Sequence, residues 1–391
     1  MIDFDFLSPT KIYFGKEKEN EIGKILIERN FANVLLVYGS SSIKKIGLYE
    51  KIIKILDENN IKHCEISNIR PNPSLDKVLE GIKIAKENNV ELVLAVGGGS
   101  VIDSAKLIAD GFYYEGNPFD FNLHLQSPKK ALPIGVILTL SASGSELSPS
   151  CVISDDKKGI KSGFNSELNR PIFAIMNPEL TYSVSKYQTG CGIVDIISHS
   201  LERYFCPSGE YEFSDLLALS IIKNTIECGK KCIEEANNYN ARAMMMLCGA
   251  FSHNGLTSMG KKWVLTVHSI EHALSSFDIN IAHGAGLSVL LPGWMEYMYK
   301  EDLDKFAKFS EFVFNINFFD KEESAKMGIQ YLKKYFKDIG TPITLGELNI
   351  KEKDIPTIAD KTTINGTRMI GYSSIRPLDR DDVINILKLV I

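Results

Sequence analysis

Three of the seven histidines in this 391-residue chain fall in one stretch, H-S-I-E-H-A-L-S-S-F-D-I-N-I-A-H-G at 268–284. His268 and His272 are four residues apart, the spacing that stacks two side chains on one face of a helix. His283 follows after a break holding Asp278 and Asn280, with Gly284 directly behind it. A second pair lies upstream in G-I-V-D-I-I-S-H at 192–199, where Asp195 and His199 share that spacing inside an otherwise apolar run. Imidazole and carboxylate groups aimed from two helices at one point are a common way to build a divalent-metal site. A lone histidine on an apolar face is more often a core residue with a satisfied hydrogen bond. A buried, unpaired carboxylate is harder to dismiss: it costs on the order of several kcal/mol, so something positive is expected to meet Asp195.

Three loops have the composition to hold a nucleotide. Gly97, Gly98, Gly99 and Ser100 join an apolar strand at 91–96 to a helix expected over 101–112. Glycines admit a ligand to the backbone, and the free N–H groups of a helix start favour a pyrophosphate. A tight turn packing helix on sheet would use the same glycines. The run T-L-S-A-S-G-S-E at 139–146, which contains Thr139, Leu140 and Ser143, follows another apolar strand at 134–138 and suits hydrogen bonding to phosphate or ribose. After the strand at 34–38 come Gly39, Ser40, Ser41 and Ser42, then Lys44 and Lys45. An acid at that point would grip the adenosine ribose hydroxyls and repel a 2′-phosphate. Hydroxyls and lysines stand there instead, which favours NADP over NAD, although the two lysines could simply be exposed helix residues.

These groups must be positioned by the elements around them. Short apolar strands at 11–14, 34–38, 62–66, 91–96 and 134–138 alternate with helical patterns at 17–29, 49–59 and onward from Ser74, whose hydroxyl is placed to cap the helix running to Asn89. Such alternation predicts a doubly wound parallel sheet. From Ser185 onward the period is helical: 186–206, 214–238, 240–256, 263–277, 285–299, 302–315, 321–339 and 379–390. The expected architecture is therefore an α/β Rossmann-like N-terminal domain (1–180) followed by an all-α C-terminal domain (181–391) that carries the metal candidates. Hydrophobic residues make up 44% and charged residues 24%, and the net charge is −5, which gives no electrostatic footprint for nucleic acid or an anionic membrane. No apolar run approaches a membrane span, and Met-Ile-Asp-Phe-Asp-Phe is not a secretion signal, so a cytoplasmic location is expected. The seven scattered cysteines are read as reduced thiols, mostly buried, and Trp263, Trp294 and Met259 as core.

Together these residues are similar to the iron-dependent (type III) alcohol dehydrogenase family, in its bacterial butanol dehydrogenase branch, nearly end to end. The resemblance is carried by P-N-P-S-L at 71–75, A-V-G-G-G-S-V-I-D-S-A-K at 95–106, the 139–146 run, N-P-E-L-T-Y at 177–182, the two histidine motifs, A-H-G-A-G-L at 282–287 and L-L-P-G-W-M at 290–295. It implies a dehydroquinate synthase-like architecture, with Asp195, His199, His268 and His283 as ligands to Fe2+, or alternatively Zn2+ or Ni2+. His272 is implied as an unligated proton relay. Implied contacts to NADP, or alternatively NAD, are Gly39, Ser40, Ser42, Asn72, Gly97 to Ser100, Asp103, Thr139, Leu140, Ser143, Lys161 and Leu180. The implied activity is reversible oxidation of short- to medium-chain primary alcohols such as butanol, by a homodimer whose partner is a small alcohol or aldehyde. A diol or lactaldehyde reductase of the same superfamily, and a metal-dependent lyase or hydrolase without net nicotinamide redox, are the alternatives. The chain departs from the family pattern in one extra residue between His272 and His283, in Asn177 where Asp is usual, and in Gly39 where strictly NAD-dependent relatives carry Asp.

Overall fold

Runs of four to six residues form eight strands among the described residues: β1 (Lys11–Phe14), β2 (Asn33–Tyr38), β3 (Lys62–Ile66), β4 (Leu92–Gly97), β5 (Ile134–Leu138), β6 (Ser150–Asp155), β7 (Ile160–Asn165) and β8 (Phe173–Met176). The computed structural model describes residues 2–207 and 212–391. Six strands make a wholly parallel sheet in the order β1-β8-β5-β4-β2-β3, and β6 and β7 form an antiparallel hairpin. The central strands β4 and β5 are buried along their whole length, the mark of a sheet covered on both faces. Its helices are α1 (Ile22–Glu28), α2 (Ser42–Lys45), α3 (Leu48–Glu58), α4 (Leu75–Glu87), α5 (Gly99–Gly111) and α6 (Phe119–Asn122). From β2 the chain moves outward to β3, then returns to β4 on the other side and proceeds to β5. The winding therefore reverses between β2 and β4, and the loops Gly39–Ser42 and Gly97–Ser100 flank that switch point at the strands' carboxyl ends.

This unit spans Ser8–Val184. The second comprises Ser185–Ile391 with the N-terminal residues up to Leu7. It is built from α7 (Lys186–Tyr204), α8 (Phe213–Glu234), α9 (Tyr239–Ser252), α10 (Thr266–Phe277), α11 (His283–Met298), α12 (Leu303–Phe314), α13 (Lys321–Asp338), α14 (Ile355–Thr363) and α15 (Arg380–Lys388). Helix α7 is its axis, buried on every side from Thr189 to Tyr204. Its C-terminal carbonyls are met by two lysines. Lys261 Nζ donates to the Arg203 carbonyl at 2.9 Å, and Lys305 Nζ to those of Tyr204 and Cys206 at 2.7 and 2.8 Å. Buried Asp215 pairs with both ammonium groups. Positive charge at a helix C-terminus complements its dipole, and the shared carboxylate keeps the lysines from being buried unpaired. Among the described residues, no helix is long and apolar enough to cross a membrane.

The structure corrects several expectations. The helix expected over 17–29 is divided: Glu17 takes a left-handed φ of 58°, a 3-10 turn covers Lys18–Glu21, and α1 follows. Ser74 stands at the N-cap of α4, but its hydroxyl does not cap the helix; its backbone is bridged to Ser154, whose N–H donates to the Pro73 carbonyl at 2.8 Å. The hairpin and β8 have no counterpart in the expected elements, because their runs are short and broken by polar residues or glycine. Helix α14 was also not expected; Pro356 lies in its first turn, where a missing N–H costs nothing. Trp294 is core, while Trp263 is only half-buried and lies under the Arg203 guanidinium, 4.6 Å from the ring centre. All seven cysteines are free thiols, six of them buried.

Asp110, in the last turn of α5, is 1% exposed, and neither carboxylate oxygen has a hydrogen-bond partner. Burial pushes its pKa up to about 8, against the opposing pull of Lys106. A folded-state pKa above the unfolded value means stability that is full at acid pH and is lost as pH rises toward 8. Asp110→Asn removes that loss. Its thermal midpoint is expected to gain on the parent progressively between pH 5 and pH 9, and a constant difference across that range would contradict this account.

Candidate active site

Asp195 and His199 stand one turn apart on α7, His268 lies on α10, and His283 opens α11. Asp195, His199 and His268 are each 4% exposed, and the His283 side chain is 26% exposed. Asp195 Oδ1 is 3.4 Å from His199 Nδ1, 3.6 Å from His268 Nε2 and 3.7 Å from His283 Nε2. Donors about 2.0–2.2 Å from a four-coordinate ion stand roughly 3.3–3.6 Å from one another, so these separations match the edges of such a site. Asp195 Oδ1, His199 Nδ1 and His268 Nε2 are all buried without a hydrogen-bond partner. Three orphaned donors converging on one point leave a desolvation cost that a cation would cancel. The donor set, histidine nitrogens with one carboxylate oxygen, suits Fe2+, Zn2+ or Ni2+.

Two buried glutamates orient the histidines. Glu202, 2% exposed, bonds His268 Nδ1 through Oε1 and accepts the Val267 N–H through Oε2 at 2.6 Å. Glu271, 0% exposed, bonds His283 Nδ1 and accepts from the Ser275 hydroxyl. A carboxylate on the far ring nitrogen fixes the tautomer, leaves Nε2 as the donor, and raises its basicity. Burial works against a proton on His268, but Glu202 and Asp195 outweigh it and hold the pKa up at about 9. His199 goes the other way: burial, with the nearby His253 and His268 rings, keeps it well below its usual value and so neutral. His253 packs against it with ring centres 4.1 Å apart, and the Arg203 guanidinium bonds both the His199 carbonyl and His253 Nδ1 at 2.9 Å. His272 is half-buried, its ring centre 5.9 Å from that of His283.

Sequence reasoning assigned no role to Glu202, Glu271 or His253. The two glutamates carry a readable signal, since each follows a candidate ligand by three residues inside an apolar helical pattern, the same reasoning that singled out Asp195. His253 carries none, because its place beside His199 comes from the packing of α9 on α7.

In the first unit, Gly97 ends β4, Gly98 precedes α5, and Gly99 and Ser100 form its first turn. Thr139 N donates to the Gly97 carbonyl at 3.1 Å. A Cβ on Gly98 would lie 2.9 Å from Leu140 Cβ, and one on Gly99 would collide with Ser143 Oγ. The 139–146 loop thus lies directly on this turn, and its packing alone demands these glycines. Asp103 turns toward that loop and β6: one carboxylate oxygen accepts from Ser145 and the other from the Val152 N–H. Asn72 is buried, with a left-handed φ of 51°; its turn is tied through Pro73 and Ser154 to the hairpin on which Lys161 sits. Gly39, Ser40 and Ser42 follow β2, and Leu180 lies in a 3-10 turn after β8, packed on the core. Lys44 and Lys45 are exposed on α2, Lys44 with its ammonium 4.4 Å from the Tyr49 ring centre.

A parallel sheet whose switch point is lined by glycine- and serine-rich loops, in a chain that also carries a buried carboxylate–histidine cluster, has the build of a metal-dependent oxidoreductase. Residues 9–178 match the family described as iron-containing alcohol dehydrogenase, and residues 189–391 the C-terminal part of the Fe-containing alcohol dehydrogenase family. The chain is 40% identical over 390 residues to NADH-dependent butanol dehydrogenase A of Clostridium acetobutylicum, with 99% of each covered. It is 30% identical to the NADPH-dependent aldehyde reductase YqhD of Escherichia coli, with 97% of each covered. The crystal structure of NADH-dependent butanol dehydrogenase A from Thermotoga maritima superposes with a TM-score of 0.96 at 37% identity, covering 100% of this chain and 99% of that one. The chain belongs to the iron-containing alcohol dehydrogenase family.

Loss of a carboxylate behind a metal-bound histidine weakens metal binding by about 10- to 100-fold. Glu202→Gln is expected to do so, read by competition with a chelator, and His268→Ala to abolish stoichiometric binding. Unchanged metal affinity in Glu202→Gln would remove Glu202 from the site.

Proposed function

We propose that this protein is a metal-dependent alcohol dehydrogenase and aldehyde reductase, interconverting short- to medium-chain primary alcohols and aldehydes such as butanol and butanal. One observation carries the reading: the buried, unpartnered donors of Asp195, His199 and His268, spaced as ligands to one ion. When bound, a divalent ion supplies Lewis acidity toward the substrate oxygen, and a nicotinamide dinucleotide supplies or takes up the hydride. Asp195, His199, His268 and His283 would hold the ion, Fe2+ by family and Zn2+ or Ni2+ by donor type. With the ion displacing the proton of His268, three neutral imidazoles and one carboxylate would leave it with residual positive charge.

His272 is proposed to carry the hydroxyl proton, taking it during alcohol oxidation and returning it during aldehyde reduction. His272→Ala is expected to keep its metal while turnover falls by about 100-fold or more; loss of metal in this variant would instead make His272 a ligand.

The dinucleotide is proposed to bind at the switch point of the first unit, using the backbone of Gly97 to Ser100 and the loops containing Gly39, Ser40, Ser42, Thr139, Leu140 and Ser143, with Asn72, Lys161 and Leu180 in support. No acid follows β2 in sequence to repel a 2′-phosphate, which favours NADPH; the relatives named for NADH make NADH the alternative. We also propose a homodimer, whose partner copy would cover the exposed N-terminal side chains Ile2, Phe4 and Leu7, and a cytoplasmic location, in keeping with seven free thiols. The deciding experiment follows NADPH and NADH absorbance with metal-reconstituted protein and butanal. Aldehyde-dependent oxidation, abolished by chelator and restored by Fe2+ or Zn2+, is expected. Faster use of NADH would overturn the NADPH preference, and no oxidation of either coenzyme would overturn the dehydrogenase reading.

A further inference from the structure

Beneath the serine-rich loop runs a chain of polar groups, two of which, Lys106 and Ser145, are buried and have no task in the reaction. Lys106 of α5, 0% exposed, donates from Nζ to Ser145 Oγ at 2.7 Å and to the carbonyls of Ser148 and Ser150 at 3.0 and 2.7 Å. Ser145, 3% exposed, donates its hydroxyl proton in a 2.5 Å hydrogen bond to Asp103 Oδ1, and Asp103 Oδ2 accepts from the Val152 N–H at 3.0 Å. Lys106 Nζ and Asp103 Oδ1 are 4.0 Å apart, so the serine hydroxyl bridges a fully buried ammonium and a partly exposed carboxylate, accepting from the cation and donating to the anion. Both charges lie on α5, one turn apart, while the bridge comes from the loop. The other end of the loop is fixed at β4 by the bond from Thr139 N to the Gly97 carbonyl, and its middle is pressed onto Gly98 and Gly99 by Leu140 and Ser143. The segment 139–148 is thereby tied down at three points, each on the strand, turn and helix that end in the Gly97–Ser100 seat.

We propose that Lys106, Ser145 and Asp103 are positioning residues for the coenzyme, latching the 139–148 loop to α5 so that the seat for the dinucleotide is formed before the dinucleotide arrives. The inference rests on the dehydrogenase reading above. Its physical content is preorganisation: a loop already ordered costs nothing to order on binding, and a loosened one charges that cost against affinity. The latch touches no reacting atom, so its loss falls on coenzyme binding and spares the chemical step.

The test is Ser145→Ala, which removes the bridge but leaves Lys106 its two carbonyls and Asp103 its backbone N–H. NADH and NADPH are titrated by nucleotide fluorescence into metal-free parent and variant, thermal unfolding confirms folding, and steady-state rates with butanal are measured after metal loading. Dissociation constants for both nucleotides are expected to rise about tenfold or more, with the coenzyme KM rising in step and kcat at saturating coenzyme within about twofold of the parent. A variant that only loses thermal stability while binding nucleotide as tightly as the parent would overturn the latch and leave the dehydrogenase reading intact. A parent that binds neither nucleotide would overturn that reading and the latch with it.

Discussion

The carboxylate of Asp195 is the charge around which the helical unit is arranged. It projects from a helix buried on all sides, its Oδ1 atom has no hydrogen-bond donor, and three imidazoles face it at 3.4–3.7 Å. Around it stand two further buried carboxylates, Glu202 and Glu271, each bonded to the outer nitrogen of one of those rings. Such a concentration of negative charge is tolerable in a low-dielectric interior only with compensating cations. Arg203 is one, placed a turn beyond His199 and bonded to its carbonyl. A divalent ion among the four donors would be the other. The packing of α7, α10 and α11 and the chemistry of the centre thus share one electrostatic requirement.

The first unit meets a different constraint, that of bringing flexible loops to a fixed place. Its sheet is covered on both faces, so only the strand ends are open to a ligand, and the reversal between β2 and β4 separates two loops there. Glycine serves close packing here: the contacts of Leu140 and Ser143 leave no room for side chains at positions 98 and 99. Beneath the loop a single hydroxyl joins Lys106 to Asp103.

The long periodic elements were legible in the sequence because burial imposes its pattern directly. The central strands read as unbroken apolar runs, and α7 betrayed its importance by carrying Asp195 among isoleucines. The pairing of Asp195 with His199 could be anticipated from i, i+4 spacing, whereas the approach of His268 and His283 depends on how α10 and the turn at 278–282 return the chain, which no period encodes; the resemblance to the family supplied it. The hairpin of β6 and β7 stayed hidden because its strands alternate weakly and include Gly163. Helix α14 stayed hidden behind a proline that reads as a breaker. Glu202 and Glu271 stood in plain sight on their helices; what the sequence lacked was the knowledge of which ring each would touch. Asp103, marked for the coenzyme by motif, also accepts from Ser145 and β6, a structural part that the motif did not announce.

Residues 2–7 belong with the segment between α9 and α10 of the helical unit. Ile2 donates its N–H to the Gly260 carbonyl at 3.1 Å, and Phe6 lies near Gly255, so the segment before Leu7 docks on the helical unit although the α/β unit follows it directly in the chain. Ile2 and Phe6 stand far ahead of Gly260 and Gly255 in the chain, so the surface they dock on is synthesised long after them. The α/β unit can therefore close its sheet while the N-terminal segment still waits for a partner. Docking of that segment must await synthesis of the stretch between α9 and α10 that holds Gly255 and Gly260.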